Sequence, residues 1–401
     1  MRPITSTIPL DEAKRIINDT IRAIDRTERI ALLDATGRVL ASEIVSTVDV
    51  PPFARAAMDG FAVRAEDTFG TSRSEPRVLR RIECVFTGQV AQRRIGAGEC
   101  IEIATGAPLP DGADAVVMVE DTEVSGDMIR VLAPVVPRQN VGRQGSDIEA
   151  GQRVLPSGDA LTPSRVGSIA ALGIPTIDVY ARPRVAILST GNEIVEPGQP
   201  LAPGHIHDIN KYTLASIVSM HGGVAVPYRT VSDTIDDLSR AVDEALNEDI
   251  LVFSGGSSVG ERDLILDIIA AKGDVLFHGI SVKPGKPTAF GVIGGKPVFG
   301  MPGYPTSCLT NAYILLVPAL RRIARLPVLE PRTVTLPLGQ RVVSATGRHQ
   351  FYTVRIENGV AMPAFKASGD ITSMSRADGY IEIPEHTDIV APDTIVTVTL
   401  F

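Results

Sequence analysis

The stretch DILVFSGGSSVGERD, Asp249 to Asp263, decides how the chain is read. Its apolar first half is too short for a buried helix and suits a buried strand. A run of Gly and Ser with no hydrophobic period follows, and then Leu264, Ile268 and Ile269 return at helical spacing. The same rhythm extends in both directions. Upstream, RVAILST (184–190) predicts a buried strand, followed by a helix near Lys211 to Met220, a strand at Val224 to Pro227, and a helix with Ile235, Leu238, Val242 and Leu246 on one face. Downstream come DVLFHGI (274–280), KPVFGMP (296–302) and a long helix to about Arg322. Strands alternating with helices imply right-handed crossovers and a parallel-type sheet covered on both faces, a three-layer α/β domain whose ligands bind at the carboxyl ends of its strands.

Outside this part the pattern changes. Leu10, Ala13, Ile16, Ile17, Ile21 and Ile24 predict an amphipathic helix over residues 10–25. Between about 45 and 160, ECIEIAT, DAVVMVE and MIRVLAPVV read as short strands, with turns at Pro110-Asp111-Gly112 and Ser125-Gly126-Asp127. After the Pro-rich 326–331 segment, FYTVRIE and VAMPAF flank Asn358-Gly359, a pair suited to a tight hairpin, so the tail is expected to be a small β-barrel. The predicted fold class is therefore multidomain α/β plus β.

Composition excludes several functions. Thirty-nine Lys and Arg against 47 Asp and Glu leave a net charge of −8, and aromatics are 4% with no Trp, so neither an electrostatic nor a base-stacking nucleic-acid surface is expected. No apolar run reaches the roughly 20 residues of a membrane span, and the N-terminus lacks a signal-peptide core. Three scattered cysteines make no disulfide framework or Cys-based zinc site and fit the cytoplasm.

The chemistry is expected in the loops that leave the strands. Gly191-Asn192-Glu193, the glycines Gly255, Gly256 and Gly260 around Ser257, the Lys283-Pro284-Gly285-Lys286-Pro287 turn and Gly300-Met301-Pro302-Gly303-Tyr304-Pro305-Thr306-Ser307 all lie there. Glycines let backbone N–H groups approach an anion, and two lysines on one Pro-Gly turn make a compact cationic clamp in an acidic chain. A phosphate-bearing ligand or free oxyanion is implied, with Asp263 or Glu193 available for Mg²⁺. There is no Walker motif and no G-x-S-x-G elbow. His205 and His207 form an H-x-H without a third ligand, so they read as a polar loop.

Eight segments in collinear order resemble the molybdopterin molybdotransferase family, which includes the E domain of gephyrin. They are PPFARAAMDGFAV (51–63), ATGAPLPDGADAVV (104–117), GSDIEAGQ (145–152), STGNEIVEPGQPL (189–201), SGGSSVGERD (254–263), SVKPGKPTAFG (281–291), GMPGYPTS (300–307) and ASGDITSMSRADGYIEIP (367–384). The resemblance implies a Mg²⁺-dependent homodimer that inserts molybdate into adenylated molybdopterin and releases AMP, working beside other proteins of that biosynthesis. It implies an N-terminal helix (1–26) packed on the α/β part and a linker domain of β-helical type (27–50 and 140–178). A β-rich cleft domain (51–139), an α/β molybdopterin-binding domain (179–326) and a C-terminal barrel (327–401) complete the division.

The resemblance also implies roles residue by residue, each with an ordinary alternative. Lys283, Lys286, Ser307, Arg348 and Ser373 would hold molybdate; otherwise they are a solvated turn, a helix cap, an exposed arginine and a loop serine. Gly255, Gly256, Ser257, Gly260, Pro302 and Pro305 would shape the substrate's phosphate site. Asp263 would bind Mg²⁺ with Glu193, or else only favour a helix dipole. Asp233 matches a position important for activity, or is an N-cap. Asp59 and Thr105 would enter the cleft from the partner subunit, though Asp-Gly is commonly turn chemistry. Arg143 and Asp147 would bound the same cleft, with Gly142 and Ser146 departing from the usual Arg and Glu. Tyr304 replaces the usual Asn; Pro305 biases it toward extended backbone, which predicts an unchanged chain path with the phenol over the ligand mouth or packed outward. Two other readings stay open: a non-catalytic, gephyrin-like scaffold, and a paralogue that handles tungstate or another pterin.

Overall fold

The computed structural model of the chain describes residues 6–232, 234–255, 264–344 and 347–401. They divide into two compact units, one holding Met1–Arg29, Gly37–Ala41 and Asp178–Phe401, the other Ile30–Thr36 and Ser42–Ile177. Among the described residues no helix is long and apolar enough to cross a membrane. Helix α1 (Leu10–Thr20) buries Leu10, Ala13 and Ile17. It stops at Thr20 rather than continuing to residue 25. The N–H of Ile24, which a longer helix would give to Thr20, instead donates to the carbonyl of Ile323 at 2.9 Å. Ile21 and Ile24 stay buried in the extended segment, so the apolar spacing did not distinguish the two conformations.

The second unit is built on strands β1 (Gly60–Val63), β2 (Arg77–Val85), β3 (Glu99–Ile103), β4 (Ala115–Met118), β5 (Thr122–Ser125) and β6 (Met128–Val131). They form one sheet in the order β4-β1-β3-β2-β6-β5, in which only β2 and β3 run parallel. Ser125 faces Met128 across a Gly126-Asp127 turn, with Gly126 at φ +61°. Alternate residues feed two cores. Phe61 and Val63 join Leu79, Val117 and Ile129, whereas Ala62 joins Ile101, Ile103 and Val116. Helix α2 (Pro163–Ala171) follows, capped by Thr162.

In the first unit, β7 (Arg184–Ser189), β8 (Val224–Pro227), β9 (Ile250–Ser254), β10 (Gly273–His278), β12 (Ala289–Ile293) and β13 (Lys296–Met301) form a sheet in the order β8-β7-β9-β13-β12-β10. A short strand β11 (Val282–Lys283) lies between β10 and β12 in the chain. The four strands β8, β7, β9 and β13 are parallel as expected, but β12 runs antiparallel to both of its neighbours, β13 and β10, so the sheet is mixed. The reason is local. Gly294 and Gly295, at φ +57° and +78°, close a two-residue hairpin that sets Ile293 opposite Lys296. Side chains of Val185, Ile187, Ile250, Val252, Phe290 and Phe299 pack with α1, α3 (Asn210–Met220) and the helix at 305–323. Those of Ala186, Leu188, Leu251, Phe253 and Val298 pack with α4 (Ile235–Ala245) and α5 (Leu264–Lys272). The 305–323 helix consists of α6 (Pro305–Asn311), a π-helical turn (Ala312–Leu316) and α7 (Val317–Ile323). Pro318 has no N–H for the carbonyl of Ile314, and its ring would crowd that carbonyl; the wider turn relieves both problems.

The C-terminal sheet comprises β14 (Thr333–Pro337), β15 (His349–Glu357), β16 (Val360–Pro363), β17 (Gly379–Ile383) and β18 (Ile395–Leu400). Its order is β11-β15-β17-β18-β14, with β16 beside β15. Asn358 and Gly359 take φ of +50° and +78° in the β15–β16 hairpin, the conformation their sequence predicts. Strand β11 belongs to this sheet although it is embedded in the α/β sequence, with Val282 beside His349 and Lys283 beside Gln350.

Candidate active site

The carboxyl edge of the parallel strands is lined by polar side chains buried without full hydrogen bonding. Ser189, Thr190, Ser254, Asp208, Asn210 and Lys211 are all buried. Ser189 Oγ, Thr190 Oγ1, Asp208 Oδ2 and Asn210 Oδ1 have no hydrogen-bond partner among the described residues. Leaving such groups unpaired costs about 1–3 kcal/mol each, so native structures rarely keep them without a ligand or water to satisfy them. The edge is closely set by glycine. Gly255, at φ +98°, would drive a Cβ to 2.3 Å from the Thr190 carbonyl oxygen, and a Cβ on Gly303 would sit 3.7 Å from Gly255 Cα. Asn210 Nδ2 donates to the Gly303 carbonyl at 2.8 Å, tying α3 to the loop after β13.

Beside this edge the buried Lys211 ammonium bonds the Glu196 carboxylate and the Thr230 hydroxyl and lies 3.9 Å from Asp208 Oδ2. Lys211, more than any other neighbour, holds the Glu196 carboxyl below the usual carboxylate range. The main-chain N–H of Lys211 donates to Asp208 Oδ1 at 2.9 Å, leaving Oδ2 unsatisfied. Glu193 is exposed, and its carboxylate folds back toward Gly191. Among the described residues, the buried Nδ1 atoms of His205 and His207 have no hydrogen-bond partner, yet no group of three His, Cys, Asp or Glu residues is arranged to hold a metal.

The lysine turn is half-buried, and its backbone is fixed at both ends. Lys283 is paired in the C-terminal sheet, and the Lys286 carbonyl accepts from the N–H groups of Ile280 (3.0 Å) and Thr288 (2.9 Å). Ser307, on the first turn of α6, is buried. Tyr304 caps that helix with φ −68° and ψ +128°, the extended backbone that Pro305 favours, and its carbonyl accepts from Cys308 N–H at 2.9 Å. The phenol is 67% exposed and lies beside Gly369, on which a Cβ would sit 3.7 Å from Tyr304 Cδ1. Thr306 holds the same 367–370 loop twice: its N–H donates to the Ser368 carbonyl (3.1 Å) and its hydroxyl to the Asp370 carbonyl (2.9 Å). Pro302 is buried and Pro305 half-buried at the start of this loop and helix. Arg348 is exposed two residues before Gln350, which pairs with Lys283. Ser373 is fully buried in the short helix α8 (Thr372–Ser375), and its hydroxyl accepts from Lys366 N–H at 3.0 Å. Asp233, Asp263, Gly256, Ser257 and Gly260 lie outside the described residues.

In the second unit, Asp59 Oδ1 accepts from Thr105 N–H at 2.6 Å and from Thr105 Oγ1 at 2.9 Å. These bonds, the backbone one first, hold the exposed Asp59 carboxyl below its ordinary range. Thr105's carbonyl accepts in turn from Thr87 Oγ1 at 3.1 Å. Gly60 does not serve turn chemistry. It starts β1, where a Cβ would lie 1.9 Å from the Val117 carbonyl oxygen of β4. Arg143 pairs with Glu149 at 3.0 Å, both exposed, and Asp147 N–H donates to the Val50 carbonyl at 3.0 Å.

Sequence reading missed Asp208, Asn210, Lys211, Thr288 and Asn311. The buried Asn311 Nδ2 donates to the Gly285 carbonyl at 2.8 Å and to the Thr288 hydroxyl. A signal was present, because Asn311 is a polar residue at the head of the apolar run AYILLVPAL.

Three family models match in chain order: "MoeA N-terminal region (domain I and II)" over residues 8–173, "Probable molybdopterin binding domain" over 186–322, and "MoeA C-terminal region (domain IV)" over 335–401. Molybdopterin molybdenumtransferase 2 of Mycobacterium tuberculosis is 32% identical over 395 residues, covering 96% of this chain and 97% of its own. A Staphylococcus aureus molybdopterin molybdenumtransferase is 29% identical over 385 residues, covering 94% and 91%. The crystal structure of a molybdopterin biosynthesis MoeA protein from Pyrococcus horikoshii superposes with a TM-score of 0.85 at 40% identity, over 98% of this chain and 99% of that one.

Proposed function

This chain belongs to the MoeA family, and from that premise we propose that it is a molybdopterin molybdenumtransferase, which inserts molybdate into adenylated molybdopterin with release of AMP. One observation carries the reading. A two-lysine turn stands in the same unit as a strand edge whose buried polar atoms, on Ser189, Thr190, Asp208 and Asn210, lack hydrogen-bond partners among the described residues. The ligand that satisfies such an edge is rich in hydrogen-bonding groups, as a pterin with phosphates is. A cationic turn in a chain of net charge −8 suits an oxyanion.

In this reading Lys283 and Lys286 bind molybdate, with Ser307 and Arg348 as further donors. Gly255 and Gly303 keep side chains clear so that backbone N–H groups approach the phosphates. The protein's contribution is positioning and charge stabilisation. Glu193, exposed at a strand end, together with Asp263, would hold Mg²⁺. Such an ion needs only one or two protein carboxylates when substrate phosphates complete its shell. When bound, Mg²⁺ neutralises phosphate charge. Free thiols on Cys84, Cys100 and Cys308 support a cytoplasmic setting.

The test is AMP release from adenylated molybdopterin on addition of molybdate, with tungstate as competitor. Molybdate-dependent AMP is expected, and a purified protein that binds the nucleotide substrate but never releases AMP would overturn the reading. We also propose a homodimer in which Asp59 and Thr105 of one subunit serve the lysines of the other. Mixing inactive Asp59→Asn with inactive Lys286→Ala under subunit exchange then restores part of the activity; no recovery counts against sharing.

A further inference from the structure

We propose that Asn311 is a positioning residue that sets the shape of the Lys283–Lys286 turn and thereby its affinity for a tetrahedral oxyanion. The proposal rests on the functional reading above. The ends of the turn are held by backbone bonds: Lys283 in the C-terminal sheet, and the Lys286 carbonyl by Ile280 and Thr288. The middle is held by side chains. The Gly285 carbonyl accepts from Asn311 Nδ2 at 2.8 Å and from Thr288 Oγ1 at 2.9 Å, and Asn311 Nδ2 also donates to Thr288 Oγ1. The donors are fully committed, whereas the buried Asn311 Oδ1 has no hydrogen-bond partner among the described residues. The Thr288 proton is committed to Gly285, so its oxygen lone pair receives the amide, and both Asn311 N–H groups are used. Asn311 and Thr288 are both fully buried.

Contact is also close on the steric side. Gly285 stands at φ +106°, and a Cβ on it would meet Asn311 Nδ2 at 2.3 Å. Two like charges three residues apart repel each other, and that repulsion favours any backbone that spreads them. A brace on the carbonyl between them, anchored in the 305–323 helix, opposes this before the anion arrives. Preorganisation of this kind acts on the ligand bound at the turn and not on a substrate held by other loops. The π-helical turn that begins at Ala312 directly follows Asn311, so the register of the brace is set where the helix widens.

The experiment compares Asn311→Leu and Thr288→Val with the full-length wild type, reading thermal midpoint, kcat, and separate KM values for molybdate and for adenylated molybdopterin. Expected is a rise of about tenfold in the molybdate KM for Asn311→Leu. Thr288→Val should give a smaller rise that is not additive with it, and the KM for the pterin nucleotide should stay unchanged in both. A role in folding alone would lower the midpoint without separating the two KM values. An unchanged molybdate KM in a folded variant, or an equal rise in both KM values, overturns the proposal. If Asn311→Leu is not recovered folded, Thr288→Val decides by the same criteria. A wild type that releases no AMP overturns the functional reading instead, and is distinguished from failure of the brace because the defect is then already present before any substitution.

Discussion

Two aspartates show how differently the two units hold their charged groups. Asp59, in the second unit, is exposed and yet complete: Thr105 supplies two donors to one oxygen. Asp208, in the first unit, is buried and yet incomplete: Oδ2 accepts no hydrogen bond among the described residues and has only the Lys211 ammonium 3.9 Å away. A group satisfied in water is finished by its own fold, whereas a group unsatisfied under cover awaits a partner from outside. Apart from the part in the shared cleft proposed for Asp59 and Thr105, the second unit should therefore answer substitution with changes in stability or ionisation. The strand edge and lysine turn of the first should answer with changes in ligand binding.

The strongest test of that contrast is Gly60→Ala. Its methyl group would collide with the backbone of β4, where no side chain can yield, so destabilisation of about 3 kcal/mol or more is expected by denaturant unfolding. A near-neutral result would mean that β1 and β4 separate easily. Next come Lys283→Ala and Lys286→Ala. Each should weaken molybdate binding by about 1–3 kcal/mol in calorimetry while the unfolding midpoint barely moves. Equal loss of stability would blur the line between the regions.

Tyr304→Asn should change substrate affinity by about 1 kcal/mol at most, because the backbone already follows the extended path and only a phenol beside Gly369 is lost. Activity identical to wild type with both molybdate and tungstate would remove Tyr304 from ligand choice. The smallest effect is expected from Thr105→Val, followed by NMR titration of Asp59. The Asp59 pKa is depressed in the fold, so the pair stabilises the protein above the ordinary Asp pKa of about 3.9, and this is lost as pH falls through the lower folded value. Removing the hydroxyl donor should move the titration up toward the ordinary value, with Asp59 still ionised at neutral pH. An unmoved titration would show that the backbone N–H alone sets it.

Much of this was legible in the sequence because it is local. Apolar spacing gave α4 and α5, continuous apolar runs gave β7 and β9, and Asn358-Gly359 gave its hairpin. The strand β12 was not legible. Its central Gly291 breaks the apolar run, and that glycine is explained only by a partner strand, since a Cβ there would lie 2.4 Å from the Asp274 carbonyl oxygen. The lysine turn and the glycine loops stood out as composition, but Lys211 looked like an ordinary helix lysine. Its burial against Glu196 and Asp208 depends on residues brought together by the sheet. Asn311 stands 26 positions from the carbonyl it braces, a pairing that no periodicity encodes.

Strand β11 has one more consequence. Two residues of α/β sequence are lent to the C-terminal sheet, and Thr306 grips that sheet's 367–370 loop from the other side. The C-terminal segment therefore cannot be exchanged among relatives as a self-contained cassette. A chimera joined near Leu326 inherits Lys283 from one parent and the strand that aligns it from the other, so its anion affinity depends on the match between parents even when every charged residue is retained.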